Sequence, residues 1–223
     1  METVYLYGLV LGRSAHLVPA HVSGIGSTVL RVVDCADGAL GALVSTLDRL
    51  PRRASLEDIR AHEHALRAVV HHGSTAAAVR FGQTFESDEE IRQHVGESRV
   101  RMTRVLEDFD GCVEMRLLLP ETPTQEIAGI VDAGEPGPGR AYLEGLRAAG
   151  KRAKGLGLQA ALGPVVRAER VEEIPSAKSA VVFSHLVRRT DEAAYRDAVK
   201  ALPALADAHV VGPLALYSFA EPE

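Results

Sequence analysis

The sequence predicts an α+β fold built from two domains. Segments rich in β-branched and aromatic residues, typical of strands, are interspersed with segments whose apolar residues recur at helical spacing. The chain has 223 residues, which is enough for two small domains that each bury a core. A hydrophobic fraction of 46% beside 25% charged residues is typical of compact globular proteins and disfavours global disorder.

The first part of the chain, residues 1–86, is predicted to form an N-terminal α+β domain. A strand is predicted over "TVYLYGLVL", because β-branched and aromatic residues dominate this run. Asp37-Gly38 is a strong turn signal between two β-type runs, which predicts an antiparallel hairpin. A helix is predicted to begin after Ser55, where Asp58 completes a capping box, and glycine supplies its stop.

A short buried strand, "AAAVRF", and a second helix follow. Ser87 is predicted to cap this helix, because acidic residues come directly after it and favour a helix N-terminus. Apolar residues at helical spacing continue until Asp110-Gly111 ends the pattern. Residues 87–111 are therefore predicted to be a helix that connects the N-terminal domain to a second domain over 112–223.

The second domain is predicted to be a modified ferredoxin-like domain. Its predicted elements are strands at 112–119, 178–189 and 208–219, a helical segment from Arg140 and a helix from Thr190. This order is close to the split β-α-β plan of ferredoxin-like domains with one strand altered. The stretch 120–139 is dense in Pro and Gly and is predicted to be an irregular surface connection.

Composition disfavours several classes of function. A net charge of −5 does not supply the positive field that nucleic acid requires. The apolar runs stop short of the roughly 18 residues needed to cross a membrane. Cys35 and Cys112 lie far apart, do not form a metal-type pair, and indicate a reduced cytoplasmic setting in which both are buried apolar residues.

A histidine-rich helix is the sharpest metal candidate, but its spacing is unsuitable. His62 and His64 point about 200 degrees apart on a helix. His64 and His71 share a face but stand about 10.5 Å apart along the axis, too far for one ion. His72 completes the group, and we predict structural or solvated histidines.

Motifs for nucleophilic catalysis and for phosphate binding are missing as well. The chain has no Gly-x-Ser-x-Gly elbow, and "SGIGS" lacks the strand, third glycine and helix of a dinucleotide loop. The sequence therefore predicts no catalytic, cofactor-binding or metal-binding residues and no cofactor. One alternative stays open: a small ferredoxin-like enzyme or a ligand-sensing module that uses the helix 62–72.

The stretch "RFGQTF" at 80–85 predicts a sharp bend. Gly82 permits the turn, Phe81 and Phe85 flank it as two aromatic anchors, and Arg80 is placed to pair with an acid. Two interpretations follow from this pattern. Either the anchors bind a partner surface, or the phenylalanines fill the seam between the two domains, as buried aromatic residues commonly do.

Ordered pieces of the chain resemble the GvpF/GvpL family of gas vesicle proteins. The resembling segments are "VYLYGLV" (4–10), "ALVSTLDRLPRR" (42–53), "HEHALRAVV" (62–70), "VRFGQTFES" (79–87), "DGCVEMRLLL" (110–119), "GRAYLEGLR" (139–147) and "GPLALYSF" (212–219). Two departures stand out. Family members commonly place Pro and Leu before Arg-Phe-Gly and Trp-Pro-Pro after the closing Gly-Pro, where this chain has "AAAV" and "LAL".

The resemblance implies a non-enzymatic accessory or minor structural protein in the assembly of gas vesicles, the hollow protein-walled organelles that give cells buoyancy. It implies two domains, the second a modified ferredoxin-like one. The implied partners are other gas vesicle proteins, including the main shell protein, with no nucleic acid and no membrane. The implied location is the gas vesicle and the cytoplasm.

Two surfaces are candidates for partner binding. The candidate residues are Arg80, Phe81, Gly82 and Phe85 at the bend, and Pro213, Tyr217 and Phe219 near the end of the chain. Pro213 removes one backbone donor from a sheet ladder, which suits an edge strand.

Overall fold

The computed structural model describes residues 2–19, 21–48, 55–119, 157–174 and 180–220. The strands are β1 (Thr3–Leu11), β2 (Arg31–Cys35), β3 (Leu40–Leu47), β4 (Ala76–Ala78), β5 (Thr84–Phe85), β6 (Cys112–Leu119), β7 (Val166–Ile174), β8 (Ala180–Arg188) and β9 (His209–Leu214). The α-helices are α1 (Leu56–His71), α2 (Asp88–Glu97), α3 (Arg99–Asp108), α4 (Leu158–Leu162) and α5 (Glu192–Lys200). This content confirms the α+β fold class.

The chain divides into two compact units. The first contains residues 1–114 together with 213–223, and the second contains residues 115–212. The return of the chain end to the first unit is a feature that local sequence patterns do not indicate. The predicted domain boundaries, with a connecting helix at 87–111, stay a prediction.

The first sheet is centred on β1. Its order is β2-β3-β1-β4, and β5 also pairs with β1. Pairing of β1 with β3 is antiparallel and shifts register between Leu6 and Gly8. A side chain at Gly8 would meet the carbonyl oxygen of Ala77 at 2.5 Å and a methyl carbon of Leu66 at 2.9 Å. Glycine at this position therefore lets β4 and α1 approach the strand closely.

The predicted hairpin and first helix are both present. β2 and β3 pair antiparallel around the turn at Asp37-Gly38. The Asp58 amide donates to Ser55 Oγ at 3.0 Å and the Ser55 amide donates to the Asp58 carboxylate at 3.0 Å, which is the predicted capping box. The buried face of α1 consists of His62, Ala65, Leu66, Val69 and Val70.

The helix predicted from Ser87 is two helices rather than one. Ser87 Oγ accepts the Glu90 amide as predicted, but α2 ends at Ser98, whose φ of −103° and ψ of 6° are not helical. The apolar spacing continues across this break because α2 and α3 both bury residues in the first unit, Val95 and Met102 among them. Periodicity alone therefore did not reveal the interruption.

The second sheet has the order β7-β8-β6-β9. With α4 between β6 and β7 and α5 between β8 and β9, the chain follows the β-α-β-β-α-β plan of ferredoxin-like domains. The prediction was a ferredoxin-like plan with one strand altered. The prediction missed β7, which pairs antiparallel with β8 over its whole length. The irregular stretch 120–139 and the helical segment from Arg140 to residue 156 lie outside the described residues.

The last predicted strand, 208–219, is shorter in the structure. β9 ends at Leu214 and lies at the edge of the second sheet, which agrees with the edge position inferred from Pro213. Residues beyond it join the first unit, where Leu216 forms a parallel bridge with Ala77 of β4. β9 is shorter than predicted because the chain leaves the second sheet after Leu214 and pairs with β4 of the first sheet instead.

Two smaller findings complete the fold. Cys35 and Cys112 are both buried and do not form a disulfide with each other, which confirms their predicted place in the core. Among the described residues, none of the helices has the length and apolar character needed to span a membrane.

Candidate functional site: the bend at residues 80–85

Backbone contacts hold the bend against β1. The Gly82 amide donates to the hydroxyl of Tyr5 at 3.0 Å, and the Leu6 amide donates to the carbonyl of Gln83 at 3.0 Å. Phe85 then pairs with Val4 as β5 joins the sheet. Gly82 has a φ of 93°, a conformation that glycine adopts without strain.

A buried histidine lies beneath the bend. His62 of α1 has its Nδ1 atom 3.0 Å from the Tyr5 hydroxyl. That hydroxyl accepts from the Gly82 amide, and its proton can be donated to Nδ1 when the ring hydrogen of His62 is on Nε2. Nε2 has no hydrogen-bond partner among the described residues. The ring of Tyr7 stacks on His62 at 5.4 Å, and the ring of Phe81 contacts it edge-on at 5.6 Å.

Burial lowers the pKa of His62 to about 4, because the charged imidazolium loses its hydration. The histidine is therefore neutral in the folded protein near neutral pH. His62 contacts Phe81 of the bend and the Tyr5 hydroxyl that accepts from Gly82, so we assign it a structural role in packing beneath the bend.

This shift predicts a pH-dependent stability. The unfolded chain binds a proton at His62 below about pH 6.5, whereas the folded protein resists it down to a pKa of about 4. The contribution of His62 is therefore present above about pH 6.5 and is lost as the pH falls. Between about pH 7.5 and pH 5, we expect the free energy of unfolding to fall by about 2 kcal/mol from this group.

Urea unfolding of the wild type and of His62→Phe at both pH values measures this contribution. The stability difference between the two proteins is expected to change by about 2 kcal/mol over that interval. His64→Phe, at an exposed position of the same helix, is the matched control. A pH profile of His62→Phe identical to that of the wild type would contradict the assignment.

The predicted site residues at the bend fall into two groups. Arg80 and Gly82 are exposed and Phe81 is half-buried. Phe85 is buried and its ring lies 5.1 Å from that of His94. The bend therefore presents Arg80, the backbone at Gly82 and the edge of Phe81 to solvent, while Phe85 fixes it to the core.

The predicted residues near the chain end are mostly internal. Pro213 is buried, Tyr217 is half-buried and Phe219 is 5% exposed. The Ala78 amide donates to the Leu216 carbonyl at 3.0 Å, so this end of the chain runs beside the strand that leads into the bend. The structure thus brings the two candidate stretches to the same strand of the first unit. Partner binding by these residues stays a prediction.

A buried carboxylate holds the chain end. Glu114 is fully buried and accepts hydrogen bonds from the amides of Tyr217 and Ser218, both at 2.8 Å, and from the Ser218 hydroxyl at 3.1 Å. The sequence analysis placed Glu114 in a resembling segment without assigning it a role. The partners lie more than a hundred residues away along the chain, so spacing did not reveal the contact.

The histidine helix does not assemble a metal centre. His62 is internal, while His64, His71 and His72 are exposed. Across the part of the chain that the structure describes, no group of three His, Cys, Asp or Glu side chains is arranged to hold a metal ion. A basic groove of about 510 Å³ runs along the exposed face of α1.

The second unit contains one constellation that resembles catalytic machinery. The Tyr195 hydroxyl lies 2.7 Å from Nδ1 of His185, and Nε2 of His185 lies 3.0 Å from a carboxylate oxygen of Glu169. His185 and Tyr195 are both fully buried, and burial raises the pKa of the Tyr195 phenol. The three side chains therefore link β7, β8 and α5, with His185 and Tyr195 buried and the Glu169 side chain 43% exposed.

Comparison with known proteins gives consistent matches. The family model described as "Gas vesicle synthesis protein GvpL/GvpF" matches residues 3–221. A curated relative, gas vesicle protein F1 of Halobacterium salinarum, is 28% identical over 134 residues, which cover 56% of this chain and 61% of the relative. The aligned region thus spans less than two thirds of that protein.

Two solved structures have the same fold. The crystal structure of gas vesicle protein GvpF from Anabaena sp. PCC7120 matches with a TM-score of 0.76 at 16% identity, covering 100% of this chain and 98% of that one. GvpF from Microcystis aeruginosa matches with a TM-score of 0.72 at 17% identity, covering 99% of both chains.

Proposed function

The chain belongs to the GvpL/GvpF family of gas vesicle synthesis proteins, and we propose that it acts by binding other gas vesicle proteins, including the main shell protein. Family membership makes it a protein related to gas vesicle assembly. The proposed step is narrower: capture of a subunit through a surface that is already ordered. The observation that carries it is the bend at 80–85, which is exposed at its tip and fixed at both ends.

Preorganisation is the physical basis for docking at the bend. Association costs less free energy when the binding segment is ordered beforehand. The hydrogen bonds that involve the Gly82 and Leu6 amides fix the backbone, so a partner would not have to order this loop. Arginine and aromatic residues are also enriched among the few interface residues that contribute most of the binding energy.

The edge of the second sheet is the second surface we propose. β9 lies at the end of the strand order, and an edge strand offers backbone groups to which an extended segment of a partner can pair. Pro213 lacks an amide hydrogen, which limits such pairing near the end of the strand. A strongly apolar shell subunit must be held before it polymerises, and an edge of limited length would hold it reversibly.

We further propose that the protein is not an enzyme and that it works in the cytoplasm, where vesicles are built. The constellation of Glu169, His185 and Tyr195 supports the first point, because its histidine is buried and its tyrosine remains protonated. A catalytic base must reach a substrate, and a buried imidazole hydrogen-bonded on both sides does not.

Co-expression of the tagged chain with the main shell protein and the other accessory proteins tests the docking proposal. We expect the wild type to retain at least one gas vesicle protein, and Arg80→Glu to retain about ten-fold less, because the guanidinium would no longer pair with an acid across the interface. The retained proteins are quantified by mass spectrometry, and circular dichroism verifies that the variant is folded.

Arg104→Glu is the matched control, since it reverses an exposed charge on α3 that pairs, among the residues that the structure describes, with Asp108 of the same helix. Equal retention by Arg80→Glu and Arg104→Glu would contradict docking at the bend. Retention of no vesicle protein by the wild type would contradict the function itself. A metal or small molecule that co-purifies in its place would favour the enzyme or sensing alternative.

A further inference from the structure

A pocket of about 220 Å³ opens beside the bend, within the first unit. Its walls come from β1, the bend, both helices around the break at Ser98, and the chain end at Ala220. Ser98, at the break that the sequence did not predict, is itself one of the lining residues.

The floor of the pocket is apolar. Leu6 and Leu9 of β1, Val95 of α2 and Met102 of α3 line it, each at most 5% exposed. A methionine in the wall can change rotamer to fit an irregular apolar group. The volume is below the roughly 300 Å³ of pockets that hold drug-sized ligands, so the occupant has only a short aliphatic part.

The rim of the pocket is cationic. Arg80 and Arg101 line it, and no Asp or Glu is among its described lining residues. Arg101 donates one bond, to the carbonyl of Ala220 at 3.3 Å, and keeps its other guanidinium donors for a ligand. Arg80 makes no hydrogen bond or ion pair with any residue that the structure describes.

Several other surface arginines of the first unit have acidic partners. Arg31 contacts Asp88 with two bonds of 2.7 and 2.8 Å, and Arg99 contacts Asp37 at 3.0 Å. Neither rim arginine of the pocket is paired with a carboxylate of the residues that the structure describes. Two guanidinium groups above an apolar floor match a carboxylate carried on an aliphatic stem.

We infer that this pocket binds a carboxylate on a short aliphatic stem, supplied by an acidic side chain or a chain end of the partner protein that docks at the bend. The inference rests on the proposed function, because Arg80 belongs to both the bend and the pocket. It assigns to the docking surface a specific anchor: an anion between Arg80 and Arg101, with its stem against Leu6 and Met102.

Binding of hexanoate to the purified full chain tests the chemistry of the pocket without any partner. Titrations followed by NMR are expected to show hexanoate binding at least about ten-fold tighter than uncharged hexanamide. Arg80→Gln and Arg101→Gln are each expected to weaken hexanoate binding about ten-fold. Arg104→Gln, on the same helix as Arg101 but outside the pocket lining, should leave it unchanged.

Equal affinity for hexanoate and hexanamide, or no binding of either, would overturn the inference. Two variants are used because Arg101→Gln removes the hydrogen bond to Ala220 and could disturb the fold. Arg80→Gln avoids this problem, since the Arg80 side chain is exposed and has no hydrogen bond or ion pair with the residues that the structure describes. Hexanoate binding only after Glu221 and Glu223 are changed to Gln would also overturn it, since the carboxylate would then come from this chain.

Competition in the co-expression experiment distinguishes the source of the carboxylate. Hexanoate, but not hexanamide, is expected to lower the amount of retained partner about ten-fold. If the partner is retained and hexanoate does not release it, the pocket inference fails while the proposed function stands. If hexanoate binds but the wild type retains no partner, the proposed function fails, and with it the partner as the source of the carboxylate.

Discussion

Phe219→Ala is expected to lower the free energy of unfolding by about 4 kcal/mol, the cost of removing a large aromatic side chain from a packed interior. Phe219 is 5% exposed, and its ring meets that of Phe109 edge-on at 6.2 Å. Its removal would leave a cavity between α3 and the chain end. Urea unfolding followed by far-ultraviolet circular dichroism measures the loss.

Val100→Ala is the matched control, because this apolar side chain on α3 is 83% exposed and its truncation should change stability by no more than about 0.5 kcal/mol. The experiment also separates the two interpretations of the aromatic residues. If Phe219→Ala unfolds like the wild type but loses partner capture, Phe219 is an anchor for a partner. A large loss of stability would show that it is a core residue whose effect on capture is indirect.

Local sequence patterns correctly predicted the strands and helices that are determined by their own residues. β1 occupies Thr3–Leu11, as its β-branched and aromatic run indicated. The capping box of Ser55 and Asp58 begins α1 where predicted. β6 likewise occupies Cys112–Leu119. In each case the local signal and the tertiary environment agree, since the apolar positions are also the buried ones.

β7 escaped prediction because its residues favour another structure. "VRAERVEEI" has two Arg and three Glu, which are good helix formers. The strand exists because it pairs with β8 along its length. Its place at the end of the sheet order also explains the charges, since edge strands commonly carry them to avoid pairing with other chains.

The candidate site required contacts that no local pattern contains. The Tyr5 hydroxyl and the Gly82 amide are 77 residues apart in the sequence. The sequence identified the bend and its glycine correctly, because glycine permits the positive φ that this turn requires. The buried His62 and the Arg101 side of the pocket depend on how α1 and α3 pack against β1, and packing of distant elements is decided by the whole fold.

Glu114→Ala is expected to lower the free energy of unfolding by about 3 to 5 kcal/mol, because it removes the acceptor of three hydrogen bonds at the chain end. The amides of Tyr217 and Ser218 and the Ser218 hydroxyl all donate to this one carboxylate. Each abandoned donor costs about 1 to 3 kcal/mol when water cannot replace the acceptor. The chain end would then detach from β4, so amide hydrogen exchange at Ser218 is expected to accelerate together with the loss of stability.

Glu114→Gln separates charge from shape in this contact. Both backbone amides donate to one carboxylate oxygen, which the glutamine oxygen can replace, and the glutamine NH₂ group can donate to the Ser218 hydroxyl, so we expect less than half of the loss caused by alanine. Glu107→Ala, an exposed position of α3, controls for the removal of a negative charge and should change stability by no more than about 0.5 kcal/mol. Unchanged exchange at Ser218 in Glu114→Ala would contradict the anchoring role. Accelerated exchange confined to the chain end would place Glu114 as the residue that keeps this segment beside the strand leading into the bend.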